Sequence, residues 1–414
     1  MRPVTARGFR DVLPAEAGER EVLARRIAET FSAWGYEPVE TPVVEDLAAL
    51  EAATGPLEGT AFRLIDLDGR LLALRPDMTV PIARVVASRL GQDPRPHRFR
   101  YAAEVFREHE SLRGQARQFT QAGVELVGTS GPAADAEVVT VMVEALEAAG
   151  VPEFTVAIGT VAVLHAIVAA AGGSGEWNAA VLGAAQDRNL VGLDALAREA
   201  ASPAVARALS TVPRIRGGAE AIDTCRDVTS GLGCEAALDD LEATWSLISA
   251  GGGAERVLID FSVMRAFDYY TGLVVEAYAT GVGLPLGGGG RYDGVLAAYD
   301  APAPAAGFAL GLERVMIALV EQGAGVEVRA LDAIVGGRPE EALVAAQELR
   351  AGGARVALSS ACGAELASEA ARTGAREALE ARGAGVVARV WPREPAASAA
   401  VATSAVVADG GERP

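Results

Sequence analysis

The spacing of apolar residues changes character three times along this chain, and those changes limit the architecture more than any single motif. Leu23, Ile27, Phe31 and Trp34 fall at i, i+4, i+8 and i+11 with Gly35 behind them, which predicts a helix over 15–34. GYEPVETPVVE (35–45) is Pro-punctuated and reads as extended. FRLIDLDGRLLALRPDMT (62–79) predicts a hairpin turning at Asp68-Gly69. Strands are predicted over 97–108 and 116–128, a helix over 134–150, and a strand in VPEFTVAIGT. Residues 161–250 then turn Ala-rich and helical. Strand patterning returns at 256–261 and 268–279, and GFALGLERVMIALVE (307–321) runs from a strand end into a helix. Mixed strands with a few flanking helices, without regular βαβ alternation, predict an α+β fold around an antiparallel sheet.

From about residue 325 the pattern resets. ALDAIVGG reads as a strand, PEEALVAAQELRAGG as a helix, ARVALSS as a strand, GAELASEAARTGAREALEARG as helical and VVARVW as a strand. That order predicts a small α/β domain with a partly parallel sheet. The expected organisation is a core over 1–322, with 161–250 as a helical insertion, and a C-terminal α/β domain over 325–414. A length of 414 residues suits two domains.

Composition removes several chemistries. All 37 basic residues are Arg, against 55 acidic residues, for a net charge of −18. Without Lys there is no Schiff-base lysine and no P-loop lysine. The acidic balance argues against general nucleic-acid binding. His97, His109 and His165, with Cys225, Cys234 and Cys362, are too few and too scattered for a metal site. Cys362, in SSACG, reads as a small core or loop residue. The start MRPVTARGFRDVLP has no apolar run of the signal-peptide kind, and no stretch is long and apolar enough for a membrane span. These features together predict a soluble cytoplasmic protein with no cofactor.

Two groups of residues could carry chemistry. Gly287–Gly290 precede Arg291-Tyr292-Asp293; such a run permits close approach of backbone to a ligand, or forms a tight hairpin or bulge. Arg107 and Arg265 lie near strand ends, Gln121 and Glu125 share one side of a strand, Tyr269 and Tyr270 precede a small-residue turn, and Asp77 and Thr79 share a face. Carboxylates for an ammonium, guanidinium for a carboxylate, and Gln and Tyr for a polar side chain make the inventory of an amino-acid pocket. The same residues also suit isolated surface positions, and spacing does not decide between the two.

Seven ordered segments add a resemblance. RGFRDVLP (7–14), LRPDMT (74–79), EVFRE (104–108), QFTQAGVELVG (118–128), MRAFDYYTG (264–272), GGGRYD (288–293) and GFALGLERV (307–315) resemble the signature segments of histidyl-tRNA synthetase and its paralogue, the regulatory subunit of ATP phosphoribosyltransferase. The resemblance spans about residues 5–320. It implies a class II synthetase-like core that dimerises around Pro42, and a C-terminal domain that is an anticodon-binding remnant.

Departures from the synthetase pattern favour the paralogue. Phe106 and Arg107 match the second class II motif, but its Glu position holds His109, and the next, commonly Arg, holds Glu110. A like-charge contact at 4–6 Å in a partly screened site costs on the order of 2–4 kcal/mol. The synthetase Glu-Gly-Thr reads Asp77-Met78-Thr79, and ADAE (134–137) is similar to the paralogue. Ala266-Phe267 replaces the Gly-Leu common to both relatives and does not discriminate. Residues 321–414 carry 10 Arg against 13 acids, which suits tRNA poorly. Arg314 matches the adenine-stacking arginine, so with Arg107 it implies a vestigial nucleotide site.

The resemblance therefore implies a non-catalytic regulatory subunit, partnered by a short-form catalytic subunit and feedback-inhibited by histidine. The implied histidine site comprises Asp77, Thr79, Arg107, Gln121, Glu125, Arg265, Tyr269 and Tyr270. In it, Asp77 with Glu125 or Gln121 meets the α-ammonium, and Arg107 meets the α-carboxylate. The implied assembly is a homodimer within a hetero-oligomer. An active histidyl-tRNA synthetase is the alternative.

Overall fold

The computed structural model describes residues 5–57, 59–108, 116–263, 270–383 and 387–392. The chain divides into two compact units, the first ending at Val326 and the second beginning at Glu327.

The first unit opens with α1 (Pro14–Ala33), β1 (Glu37–Pro38), β2 (Val44–Asp46), α2 (Leu47–Thr54), β3 (Arg63–Ile65), β4 (Leu71–Leu74) and α3 (Thr79–Arg89). Next come β5 (His97–Phe106), β6 (Gln118–Val127), α4 (Pro132–Ala149) and β7 (Phe154–Thr160). The helical segment holds α5 (Val161–Ala171), α6 (Gly175–Gln186), α7 (Leu190–Glu199), α8 (Pro203–Thr211), a short β8 (Arg216–Gly217), α9 (Glu220–Val228) and α10 (Glu235–Ala250). The unit closes with β9 (Val257–Asp260), β10 (Leu273–Ala279), β11 (Gly287–Arg291), β12 (Ala305–Gly311) and α11 (Leu312–Glu321).

Local chemistry explains the main elements. Pro14 sits in the first turn of α1, where its missing N–H costs nothing. Leu23, Ile27 and Phe31 bury one stripe of that helix. Pro132 starts α4 in the same way, and Gly150 ends it in the left-handed region at φ 87°.

Nine strands form the central sheet in the order β1-β5-β6-β12-β11-β10-β7-β9-β8. The pairings are antiparallel except β1 with β5 and β7 with β9. β2, β4 and β3 form a separate small antiparallel sheet. Alternation on β6 sends Ala122, Val124 and Leu126 into the large core shared with α1 and α4. Leu164, Val181, Leu193, Val205, Ile222 and Leu238 of the helical segment belong to that same core. The segment is thus continuous with the sheet's packing. Among the described residues, no helix is long and apolar enough to cross a membrane.

Two expectations are corrected here. The four-glycine run forms neither a hairpin turn nor a bulge: Gly287–Gly290 lie in β11, paired on both sides by β10 and β12. The stretch 363–383 is not one helix. Helix α13 (Gly363–Thr373) stops at Gly374, at φ 72°, and β15 (Glu377–Ala381) follows, burying Ala378 and Leu379.

The second unit therefore runs β13 (Ala333–Gly337), α12 (Pro339–Ala351), β14 (Val356–Leu358), α13, β15 and β16 (Val387–Pro392). Its sheet has the order β14-β13-β15-β16; the first three strands are parallel and β16 is antiparallel. Cys362 is exposed, at the start of α13, rather than in the core.

Candidate functional site

On the sheet face opposite the large core, register sets a cleft. Glu125 of β6 lies across from Gly307 of β12, and Gly307 lies across from Gly290 of β11. One row along, Gly123 faces Ala309, which faces Gly288. This floor is almost free of side chains. Its close fit is specific at Gly307, where an added Cβ would lie 2.1 Å from Glu125 Oε2 and 2.4 Å from the Val124 carbonyl oxygen. The Tyr270 ring packs on Gly290, where a Cβ would come within 2.8 Å of it. Asp77, Thr79, Arg107, Gln121, Tyr270 and Tyr292 rise around this floor.

Glu125 is the buried hub of the site, 1% exposed. Thr79 donates to its Oε1 at 2.8 Å, Tyr101 donates to the same oxygen at 3.2 Å, and Tyr292 donates to Oε2. Burial pushes its carboxyl up to about 7, against the lowering effect of these donors. The Asp77 carboxyl is also raised by burial, which the nearby Arg107 guanidinium opposes. Asp77 accepts from the Val80 N–H at 3.3 Å and so caps the start of α3. Arg107 donates its Nε to the Pro76 carbonyl at 2.9 Å, and its guanidinium carbon lies 5.2 Å from the Phe119 ring centroid. Gln121 is buried, and its Oε1 has no hydrogen-bond partner among the described residues.

The fold therefore brings Asp77, Thr79, Arg107, Gln121, Glu125 and Tyr270 together. Arg265 and Tyr269 lie outside the described residues, as do His109 and Glu110. Arg314, on α11, donates its Nη1 to the Pro285 carbonyl at 2.8 Å and is not among the residues that line this cleft. Glu125 faces three hydroxyls, so it orients the ring of donors around it more than it offers an open carboxylate. Tyr101 and Tyr292 were missed in the sequence. Tyr292 stood in plain view after the glycine run, but only strand register turns it toward Glu125. Among the described residues, no group of three or more His, Cys, Asp or Glu is placed to hold a metal. Chemically, the cleft sets a guanidinium, a carboxylate and an unmet amide acceptor around a narrow space, which suits a zwitterion.

Comparison with known proteins gives a consistent picture. The histidyl-tRNA synthetase family model matches residues 8–315. The chain is 39% identical over 354 residues to the ATP phosphoribosyltransferase regulatory subunit of Moorella thermoacetica, covering 85% of this chain and 90% of that one. It is 34% identical over 361 residues to the protein of the same name in Bacillus subtilis, covering 86% and 92%. A solved ATP phosphoribosyltransferase regulatory subunit/histidyl-tRNA synthetase from Bacillus halodurans C superposes with a TM-score of 0.82 at 29% identity, covering 92% of this chain and 99% of that one. Histidyl-tRNA synthetase from Nostoc shares the fold at a TM-score of 0.78 and 23% identity, with 92% of each chain covered.

Proposed function

The chain belongs to the histidyl-tRNA synthetase family, in the branch named ATP phosphoribosyltransferase regulatory subunit, and from that premise we propose that it is the non-catalytic regulatory subunit of a hetero-oligomeric ATP phosphoribosyltransferase. In this reading a short-form catalytic subunit performs the first step of histidine biosynthesis in the cytoplasm. The present chain, as a homodimer within the assembly, binds histidine and transmits its inhibition. Histidine inhibits by binding one state of the assembly more tightly than the other. Residues 1–322 serve as the synthetase-like core with 161–250 as its insertion, and 325–414 serve as an anticodon-binding remnant.

The observation that carries the histidine reading is Gln121 Oε1, without a hydrogen-bond partner among the described residues, beside Asp77 and Arg107. A buried acceptor left unmet costs about 1–3 kcal/mol, which a donating ligand ammonium would recover. In the proposed pose the α-ammonium meets Gln121, Asp77 and the Thr79 oxygen, and the α-carboxylate pairs with Arg107. Tyr270 flanks the imidazole, with Arg265 and Tyr269 as further contacts. Glu125 holds Thr79, Tyr101 and Tyr292 in place.

Reconstitution tests the reading. The purified chain is mixed with a short-form catalytic subunit from the same genome, and phosphoribosyl-ATP formation is assayed with and without histidine. Activation by the chain, followed by loss of activity as histidine is added, is the expected result. No activation and no histidine sensitivity would refute it. Robust histidine-dependent ATP–pyrophosphate exchange by the chain alone would move it to the synthetases.

A further inference from the structure

The cleft has a counterpart on the other face of the same sheet. A cavity of about 390 Å³ opens there, among the starts of α4, α5 and β10 and one side of α10. Two short segments separate cleft from cavity, and their residues alternate between them. Tyr270 lines the cleft while Thr271 lines the cavity; Tyr292 lines the cleft while Arg291 and Asp293 line the cavity. Just outside the ends of β10 and β11, neighbouring residues face opposite sides of one backbone, as they do along a strand.

Arg291 is the most constrained residue of this partition. Its Nε and Nη2 donate to Asp135 Oδ1 at 3.0 and 2.6 Å, and its Nη1 donates to Asp293 Oδ1 at 3.1 Å and to the Thr129 carbonyl at 3.4 Å. The Arg291 and Asp135 side chains are 8% and 10% exposed. The backbone around it is tied as firmly. Thr271 N–H donates to the Arg291 carbonyl at 2.8 Å, Tyr292 N–H to the Ala305 carbonyl at 2.8 Å, and Ala305 N–H to Asp293 Oδ1 at 2.9 Å. Between these ties sits Tyr292, whose hydroxyl donates to Glu125. A guanidinium fork fixes direction as well as charge, which an ammonium does not.

We propose that Arg291 is a positioning residue of the ligand cleft: from the opposite face of the sheet it fixes the backbone that carries Tyr292, and through the Tyr292 hydroxyl it orients Glu125 and sets the affinity of the cleft. Arg291 touches no ligand in this scheme. Its influence passes along one residue of backbone and one hydrogen bond. It also links α4, through Asp135, to the ligand site. The affinity arm of the proposal rests on the histidine reading above; the Glu125 arm does not.

Among the described residues, the titratable groups coupled to Glu125 are Asp77 ahead of α3, Tyr101 on β5, Tyr292 after β11 and Tyr36 after α1, while Gly307 of β12 presents none. Carboxyl-labelled NMR on the full chain reads the Glu125 midpoint directly, and calorimetry reads histidine affinity. The expected wild-type midpoint is about 7. The Tyr292 hydroxyl favours the ionised form, so Tyr292→Phe raises the midpoint by about one unit. Arg291→Lys raises it by a smaller step and weakens histidine binding roughly tenfold. In the Arg291→Lys/Tyr292→Phe double variant the midpoint matches Tyr292→Phe alone, because the route from Arg291 is already cut.

A folded Arg291→Lys with the wild-type midpoint overturns the proposal. So does an Arg291→Lys shift that persists undiminished in the Tyr292→Phe background. If Arg291→Lys does not fold, Asp135→Asn, which keeps shape and weakens the fork, carries the same test. A wild-type chain that binds no histidine refutes the functional reading, while the midpoint series still decides the role of Arg291.

Discussion

The central sheet of the first unit and the sheet of the second treat their polar groups in opposite ways. In the first unit, Asp77, Arg107 and Gln121 surround a narrow cleft, and a buried oxygen of Gln121 has no partner among the described residues. In the second, carboxyl ends of parallel strands form the place where open α/β sheets usually take ligands. There the protein supplies its own anions. Glu380 accepts from the Gly363 N–H at the start of α13 at 3.3 Å, and Glu341 accepts from the Gly383 N–H at 3.1 Å. Each also faces an arginine, Arg382 at 3.6 Å and Arg338 at 3.2 Å. An edge that satisfies itself has less to gain from a ligand than one that leaves an acceptor unmet. The proposed function accordingly looks for its ligand in the first unit.

The strongest attack on that contrast is Arg107→Ala. With a ligand carboxylate paired to the half-buried Arg107 guanidinium, histidine affinity should fall by roughly 2–4 kcal/mol by calorimetry. Unchanged affinity would remove Arg107 from the pocket. Next in size is Glu125→Gln. A carboxyl held near 7 in the fold but near 4.5 when unfolded binds more protons in the native state between those values. Native stability therefore falls as pH rises through that window, by on the order of 3 kcal/mol in total. Denaturant titrations at several pH values should show this slope in the wild type and its loss in Glu125→Gln.

Two glycine substitutions sharpen the comparison. An added Cβ at Gly307 meets Glu125 Oε2 at 2.1 Å, and one at Gly336 of β13 meets the Ala361 carbonyl oxygen at 2.2 Å. Each Ala substitution should cost about 1–3 kcal/mol in urea unfolding. Only Gly307→Ala should also weaken histidine binding; equal effects on binding would erase the distinction between the units. The smallest effect belongs to Glu380→Ala, which removes an acceptor from the start of α13 and should cost about 1 kcal/mol with histidine affinity unchanged.

Periodic segments were legible in the sequence, and contact-defined ones were not. Leu23, Ile27 and Phe31 announce α1 by spacing alone, and Gln121 and Glu125 are correctly placed on one side of β6. The glycine run carries no side chains and so no period; β11 is a strand because β10 and β12 pair with it. The stretch EALEA (377–381) has a composition that suits a helix, and its strand form follows from its pairing with β13 and β16. The candidate site followed the same rule. Asp77, Arg107, Gln121 and Glu125 were named from the quoted motifs; Tyr292, though inside GGGRYD, was not, and Tyr101 joins through cross-strand register with Gly123, a relation between distant parts of the chain.

The tight pairing of β11 with β12 has an evolutionary side. A Cβ at Gly287 would lie 2.2 Å from the Ala309 carbonyl oxygen, and one at Gly289 would lie 1.9 Å from that of Gly307. Every amino acid reachable from a glycine codon by a single base change carries a Cβ. At these positions the only tolerated drift is silent, so third-base substitutions should accumulate there while the protein stays still. Elsewhere the chain's composition leans heavily to Ala and Arg. This strand marks where it has no room to move.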